Sequence, residues 1–518
     1  MKFKIKKNLI YALVSQIITF VLNFVSQSIF IKSLGSEYLG INTLFANIIS
    51  VLNITELGIS TAIVYNLYKP LSENNKSQIK RILKFYKRCY IVIALIILFL
   101  SISIIPFLKS IVGNNNISEN IYLIFVLFTA ETIISYLLTY KRSIIYADQN
   151  NYLILKSHIV YLFLLHTSQI IVLVNFKNYY MYLIIKILCT VIENLIISLI
   201  ANKKYPYIKE KCNESITKQE KQNFFKNIKG LFLHKISWTI ISSTDSIIIS
   251  TMCGLKIVGF YSNYALIMNA IEQVISQILS STTATIGNLL VNSTKEKIYK
   301  TYKQISFVSF VLCTWFTVCF YLCSKSFIKI ISGSPEYVLS NSIVIIISFK
   351  FFLQIMRRSI CIFKDASGIF YEDRHIAIIA TIVNLVASII LTYFFGIIGV
   401  FIGTILCYLI FHLFGYSKYV YQKIFCKDKK IYIFNLVKYT IILFICFLIS
   451  NTIDSFIQFN NEYVNFIKSG IIATVISFIT IFTCFKDNEE YKYFIGEIKR
   501  IIKKYKRENT MATNNKKY

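Results

Sequence analysis

Eleven side chains in this sequence could do chemistry because they stand where charge is costly. Glu56, Glu131, Lys186, Glu193, Lys235, Asp245, Glu272, Lys350 and Lys438 fall inside long apolar stretches, and Arg357 and Arg358 close the end of another. A charge at such a position costs about 2.5–3.5 kcal/mol in hydrocarbon unless it faces protein or water. Two readings compete. In one, the charges pair between helices, as Lys186 would with Glu56 or Glu131, and only fix the packing. In the other they line a hydrated cavity. Its cations Lys235, Lys350, Arg357 and Arg358 would then meet an anionic substrate. A carboxylate among Glu56, Glu131, Glu193, Asp245 and Glu272 would exchange a coupling ion, H+ or Na+. Gln16, Asn23, Asn53 and Ser242 would add neutral hydrogen-bonding groups. Pairing is the stronger reading for any one carboxylate. Substrate contact is the stronger one for the four cations, because the spans around them offer only Asp245 and Glu272 to neutralise them. Arg357 and Arg358 also read as ordinary anchors at the inner membrane face. Glu56 shares a helix face with Asn42, Asn53 and Ser60. Lys235 stands near Asp245 in the sequence, which makes Glu56 the better candidate for ion exchange.

Other chemistry finds little support. There is no G-x-x-x-x-G-K-[ST], G-x-S-x-G or H-E-x-x-H pattern, so the chain does not read as an enzyme and no catalytic residue is assigned. The 12 cysteines are scattered with no C-x-x-C pair, which argues against a zinc site or a disulfide framework. His158 and His166 read as packing residues rather than ligands. No cofactor or metal is expected beyond the coupling ion.

The elements that must position these residues follow from the distribution of charge. The chain is 55% apolar, yet its formal net charge is +31. Lys and Arg crowd into alternate connecting segments, such as 69–88, 141–156, 203–229 and 357–374, and nearly vanish from those between. Membrane chains keep Lys and Arg on the cytoplasmic side. The sequence is therefore read as an all-α polytopic membrane protein with both termini cytoplasmic. At about 20 residues per span, fourteen spans fit, near 9–31, 41–67, 89–108, 121–140, 153–174, 179–201, 231–252, 257–281, 304–323, 341–361, 376–394, 397–416, 431–450 and 466–485. Lys211 and Lys503 should lie inside, and Asn114 and Glu462 outside. With only 4 prolines, a sharp break within a span would have to use glycine or a polar insertion. The basic start runs into a retained span rather than a cleaved leader. The dispersed basic loops leave no single domain to hold a duplex, so nucleic acid is not expected as a partner; membrane lipid is.

A repeat emerges at an offset of 219 residues. Gly35 and Gly40 then fall on Gly254 and Gly259, and Lys177 on Gly396. Gln16, Thr19, Asn23, Ser26 and Gln27 fall on Lys235, Trp238, Ser242, Asp245 and Ser246, so each half opens with a helix carrying a polar stripe. The expected organisation is an N-lobe over 1–201, a basic linker over 202–229, and a C-lobe over 230–416. Two further helices over 417–485 and a basic tail over 486–518 complete it. Two six-helix lobes would surround a central hydrated cavity, as parallel repeats do in transporters.

Five segments in order carry a family likeness: LGSEYLGINTLFANIISVLNITELGISTAIVYNLYKPL from Leu34, KRSIIYADQNNY from Lys141, HKISWTIISSTDSIIIS from His234, VGFYSNYALIMNAI from Val258, and RRSICIFKDASGIFYEDR from Arg357. With these the sequence resembles the Wzx-type polysaccharide flippases of the multidrug/oligosaccharidyl-lipid/polysaccharide (MOP) exporter superfamily. The resemblance implies two six-helix lobes working by alternating access in the bacterial cytoplasmic membrane. It also implies export of a polyprenyl-pyrophosphate-linked oligosaccharide from the inner to the outer leaflet for capsule or exopolysaccharide, with a polysaccharide polymerase and other assembly proteins as partners. The extra helix pair is similar to that of fourteen-helix members, which include lipid II flippases. An ion-coupled multidrug exporter of the same superfamily is the alternative; a polysaccharide polymerase fits less well, because the outer connections are short.

Overall fold

The structure is a computed structural model and describes residues 2–56, 59–210, 216–280, 282–367, 369, 372, 374–497 and 499–500. Lys211 and Lys503, on which the inner-face topology partly rests, lie outside the described residues. Among the described residues there is no strand, and eighteen α-helices carry the chain. The first four are α1 (Lys2–Leu34), α2 (Ser36–Leu52), α3 (Ile59–Ser72) and α4 (Lys76–Ile104). Next come α5 (Leu108–Val112), α6 (Ile121–Leu137), α7 (Tyr140–Ala147), α8 (Asn151–Asn175) and α9 (Tyr179–Lys204). The middle holds α10 (Lys218–Cys253), α11 (Leu255–Ser280), α12 (Thr283–Asn292) and α13 (Lys295–Ser332). Then follow α14 (Asn341–Ser367), α15 (Arg374–Phe395) and α16 (Ile397–Ile410), which runs on as a π-helical stretch over Phe411–Phe425. Last are α17 (Lys429–Phe456) and α18 (Glu462–Phe485).

Asparagine and aspartate begin many of these helices. Asn75, Asn120, Asn178, Asp428 and Asn461 each accept a backbone N–H of the first turn, at 2.9–3.3 Å. Among the described residues nine helical segments are long and apolar enough to cross a membrane, or ten if α6 and α7, bent by 48°, form one span. That set does not include α10, α11 and α14, which carry Lys235, Asp245, Glu272, Lys350, Arg357 and Arg358. The polar groups that interest function are what lower the hydropathy of those helices. One expected span departs from its reading. The stretch 41–67 is not a single helix: α2 ends at Leu52, Asn53–Glu56 form a 3-10 turn, and α3 begins at Ile59. The break is a polar insertion, so Glu56 caps a turn and does not continue a helical face with Asn42.

The chain forms two compact units. The first comprises Met1–Leu266, Ile331–Leu339 and Ala377–Thr404. Within it α1 lies along α8, α9 packs on α6 and α8, and α10 packs on α2. Its core gathers Ile63, Leu67, Ile79, Tyr86, Tyr90, Tyr136, Ile144 and Ile197, all buried. Gly35 and Gly254 take left-handed backbone at φ 93 and 94, and Lys177 and Gly396 at φ 47 and 59; β-carbons crowd such a conformation and glycine avoids the strain. The α2 and α11 backbones touch reciprocally. A Cβ at Gly40 would strike the Leu255 carbonyl, and one at Gly259 the Ser36 carbonyl. The 219-residue offset maps Gly40 onto Gly259 and Ser36 onto Leu255, so the two contacts are equivalent under the repeat. The hairpin of α15 and α16 is equally close, since a Cβ at Gly399 or Gly403 would fall on Leu391 or Ser388.

The second unit comprises Ile267–Ile330, Ser340–Ile376 and Ile405–Tyr518. Here α14 packs on α12 and on the π-helical stretch, while α17 pairs with α18. Phe307, Phe310, Phe351 and Phe352 fill its core. His412 is buried there with both nitrogens engaged, Nδ1 by the Tyr432 hydroxyl at 2.5 Å and Nε2 by the Leu353 carbonyl at 3.2 Å. In both units large apolar side chains face outward, among them Phe99 at 70% and Phe434 at 71% exposure. Such a surface is suited to hydrocarbon rather than water.

Candidate functional site

In the first unit most of the in-span acids have found partners. Glu193 accepts from Arg142 Nη2 at 3.0 Å and lies 3.0 Å from His158 Nδ1, and Arg142 also donates to Asn194 at 2.9 Å. Glu131 pairs with Lys186 at 3.5 Å and accepts from the Thr190 hydroxyl at 3.1 Å. Helices α6, α7, α8 and α9 are thus tied by two acid–base clusters. Glu56 differs. Its Oε2 accepts from the Tyr136 hydroxyl at 3.1 Å, and its charge acts on that of Lys235 from α10. Lys235 and Asp245 are ten residues apart on one helix, about 15 Å along its axis. Lys235 therefore answers Glu56, and the expected proximity to Asp245 does not hold.

Asp245 sits in a different setting. It is buried, and its Oδ1 lies 3.0 Å from the Thr404 hydroxyl. Thr404 Oγ1 in turn lies 3.2 Å from the Val400 carbonyl and accepts from Asn384 Nδ2 at 3.1 Å. The Ser388 hydroxyl also donates to Val400 O, at 3.2 Å. Asn384 Oδ1 is buried and, among the described residues, accepts no hydrogen bond. The close α15–α16 packing at Gly399 and Gly403 is what gathers these groups. The donors are all oxygens: carboxylate, amide, hydroxyl and backbone carbonyl. Such a set suits a proton or a small hard cation, not a transition metal. Asn384, Ser388 and Thr404 were not singled out from the sequence; their signal is small polar residues at helical spacing within two apolar spans.

Of the four candidate cations, Lys235 lies in the first unit and Lys350, Arg357 and Arg358 in the second. On α14, Lys350, Arg357 and Lys364 recur every seven residues, which keeps them on one stripe with a drift of about 20° per step. All three are buried. The Arg357 guanidinium lies 5.5 Å from the ring centroid of Tyr408 and 5.6 Å from that of Phe411, a cation–π arrangement. The charges of Lys350 and Arg357 both act on Tyr408. Arg358 and Gln354, on the neighbouring stripe, bind Glu272 of α11 at 2.7 and 2.5 Å. Lys364 was read only as part of a family-like segment; its register with Lys350 was the available signal.

The neutral residues are dispersed. Gln16 and Asn23 are half-buried on α1, Asn53 closes α2, and Ser242 is exposed on α10 with its hydroxyl on the Thr239 carbonyl at 3.1 Å. The structure brings together Glu56 with Lys235, and Asp245 with Thr404 and Asn384. It also joins Glu272 to Arg358. Glu131 and Glu193 are held in separate clusters.

Residues 5–286 match a family described as "Polysaccharide biosynthesis protein". No curated protein matches the chain. Solved structures are similar in fold. One is the lipid II flippase MurJ in an inward closed conformation, with TM-score 0.66 and 17% identity over 92% of this chain and 99% of that one. Another is a multidrug resistance MATE family transporter of the MOP superfamily in an inward-facing conformation, with TM-score 0.56 and 13% identity over 77% and 93%. A third is a MOP superfamily transporter from Pyrococcus furiosus described by the reverse polarity of its binding pocket, with TM-score 0.53 and 14% identity over 81% and 96%.

Proposed function

The chain belongs to the polysaccharide biosynthesis protein family and has the fold of MOP superfamily transporters, and from that premise we propose that it is a flippase. Its substrate is a polyprenyl-pyrophosphate-linked oligosaccharide, moved from the inner to the outer leaflet of a bacterial cytoplasmic membrane by alternating access. Both termini lie inside, and the product passes to a polysaccharide polymerase and other assembly proteins. The two lobes are residues 1–201 and 230–416, with the helices over 417–485 appended.

The observation that carries this reading is the buried stripe of Lys350, Arg357 and Lys364 on α14. A sugar pyrophosphate is large, polar and anionic and does not cross hydrocarbon unaided. Buried cations on one face of a helix give its phosphates charge-assisted hydrogen bonds. A cationic drug would be repelled by the same stripe, so the multidrug alternative is disfavoured. Coupling is assigned to the oxygen cluster at Asp245, which can take up H+ or Na+.

A lipid II flippase is the second reading, favoured by the 99% coverage of that protein's structure. Deleting the gene separates the two. The expected result is lipid-linked repeat units held on the inner leaflet while peptidoglycan synthesis continues. Arrest of peptidoglycan synthesis would select the lipid II reading, and an unchanged distribution of both lipids would overturn the flippase.

A further inference from the structure

Lys438 is an in-span cation that the transport reading leaves unused. It lies nine residues into α17, about 14 Å along the helix, and its ammonium sits 4.7 Å from the ring centroid of Phe485. A lysine at that depth turns its head toward the membrane surface. There it lines a cavity of about 90 Å³ in the second unit, room for about three waters or one phosphoryl group.

The walls of this cavity combine charge, hydroxyls and aromatic rings. Lys303 and Lys438 supply two ammoniums, and Asn435, Asn488, Ser306 and Ser359 supply neutral polar groups. Tyr302, Tyr421 and Tyr432 close the buried side. Glu490 also lines it but is taken: it pairs with Lys303 at 2.7 Å. Burial, the largest influence, raises the pKa of Glu490, yet the hydrogen bond from Lys303, a backbone hydrogen bond and the charges of Lys303 and Lys438 together hold the carboxyl below its ordinary range. Among the described residues no carboxylate forms an ion pair with Lys438. Two cations against one committed carboxylate leave the cavity positive. The flanking segments, 295–303 and 427–430, are themselves rich in lysine, which places this end at the inner leaflet, where anionic lipids collect.

We propose that this cavity binds the phosphoryl headgroup of an anionic lipid of the inner leaflet, with Lys438 as its principal contact. Met356 and Ser359 of α14 line the same cavity, on the helix that carries Lys350 and Arg357. An occupied site therefore braces α14 from its far side, distinct from the transported substrate.

The test uses the full chain in a neutral detergent, with the thermal unfolding midpoint read against added phosphatidylglycerol, phosphatidylcholine or inorganic phosphate. Phosphatidylglycerol should raise the midpoint and phosphatidylcholine should not. Lys438→Gln should need about fivefold more phosphatidylglycerol for the same rise, the effect of one lysine at a lipid surface, and Lys438→Arg should stay close to the parent. If Lys438→Gln does not fold, Asn435→Ala replaces it and should weaken the response in the same direction. The same phosphatidylglycerol response in the parent and these variants overturns the site. A Lys438-dependent rise with inorganic phosphate alone overturns the lipid as its source.

Discussion

Among the described residues the two units bury charge of opposite sign: the acids Glu193 and Asp245 in the first, and Lys350, Arg357 and Lys364 in the second. In the first, acids meet bases or hydroxyls: Glu193 with Arg142 and His158, Glu131 with Lys186, Glu56 with Tyr136 and Lys235, Asp245 with Thr404. In the second, α14 buries Lys350, Arg357 and Lys364, and Glu272 engages Arg358. Helix pairing alone needs matched charges, and the first unit is largely matched. Buried cations on one stripe of a helix suit an anionic cargo. Under the proposed function this contrast assigns cation or proton exchange to the first unit's oxygen cluster and substrate phosphate to the second unit's stripe.

The largest effect should come from breaking the matched side. Arg142→Ala or Glu193→Ala leaves a buried charge without its partner, at a cost of about 3–5 kcal/mol. Size-exclusion chromatography should then show loss of the folded protein, and the double variant Arg142→Met with Glu193→Leu should recover it. Normal folding of both single variants would mean that these acids are not structural, and the comparison would fail at its first half.

A smaller effect sharpens the division within the first unit. Glu56 lies within reach of the charge of Lys235, whereas Asp245 Oδ1 lies 3.0 Å from the Thr404 hydroxyl, in a cluster of oxygens able to ligate a cation. We therefore propose ion exchange at Asp245 rather than at Glu56, the better candidate from the sequence. Asp245→Asn should retain the fold and make export in vesicles indifferent to an imposed pH or sodium gradient, while Glu56→Gln should keep that dependence. The reverse pattern would return the exchange to Glu56.

Much of this was legible before the fold was known. Charge alternation gave a helical membrane protein, because the cost of placing lysine in hydrocarbon is written into loop composition. The costly residues were also legible, since Glu56, Lys235, Asp245, Glu272 and Lys350 stand out against apolar neighbours. Their partners were not. Lys235 is nearer in sequence to Asp245 than to Glu56, and only the packing of α10 beside the Asn53–Glu56 turn reverses that order. Arg142 lay hidden in a basic segment that reads as a topology signal. Asn384, Ser388 and Thr404 are too mildly polar to mark a span, and become a cluster only because Gly399 and Gly403 let two backbones touch.

The central claim is that the α14 cations meet the phosphate of a lipid-linked glycan. Purified protein in vesicles, supplied with a polyprenyl-pyrophosphate-linked oligosaccharide on one side, allows transfer to be followed by lectin or enzyme access on the other. The account predicts that Lys350→Ala inserts at normal levels yet loses transfer by about tenfold or more, and that Lys350→Arg restores part of it, because charge survives while geometry changes. Transfer by Lys350→Ala at the parent rate would contradict the account.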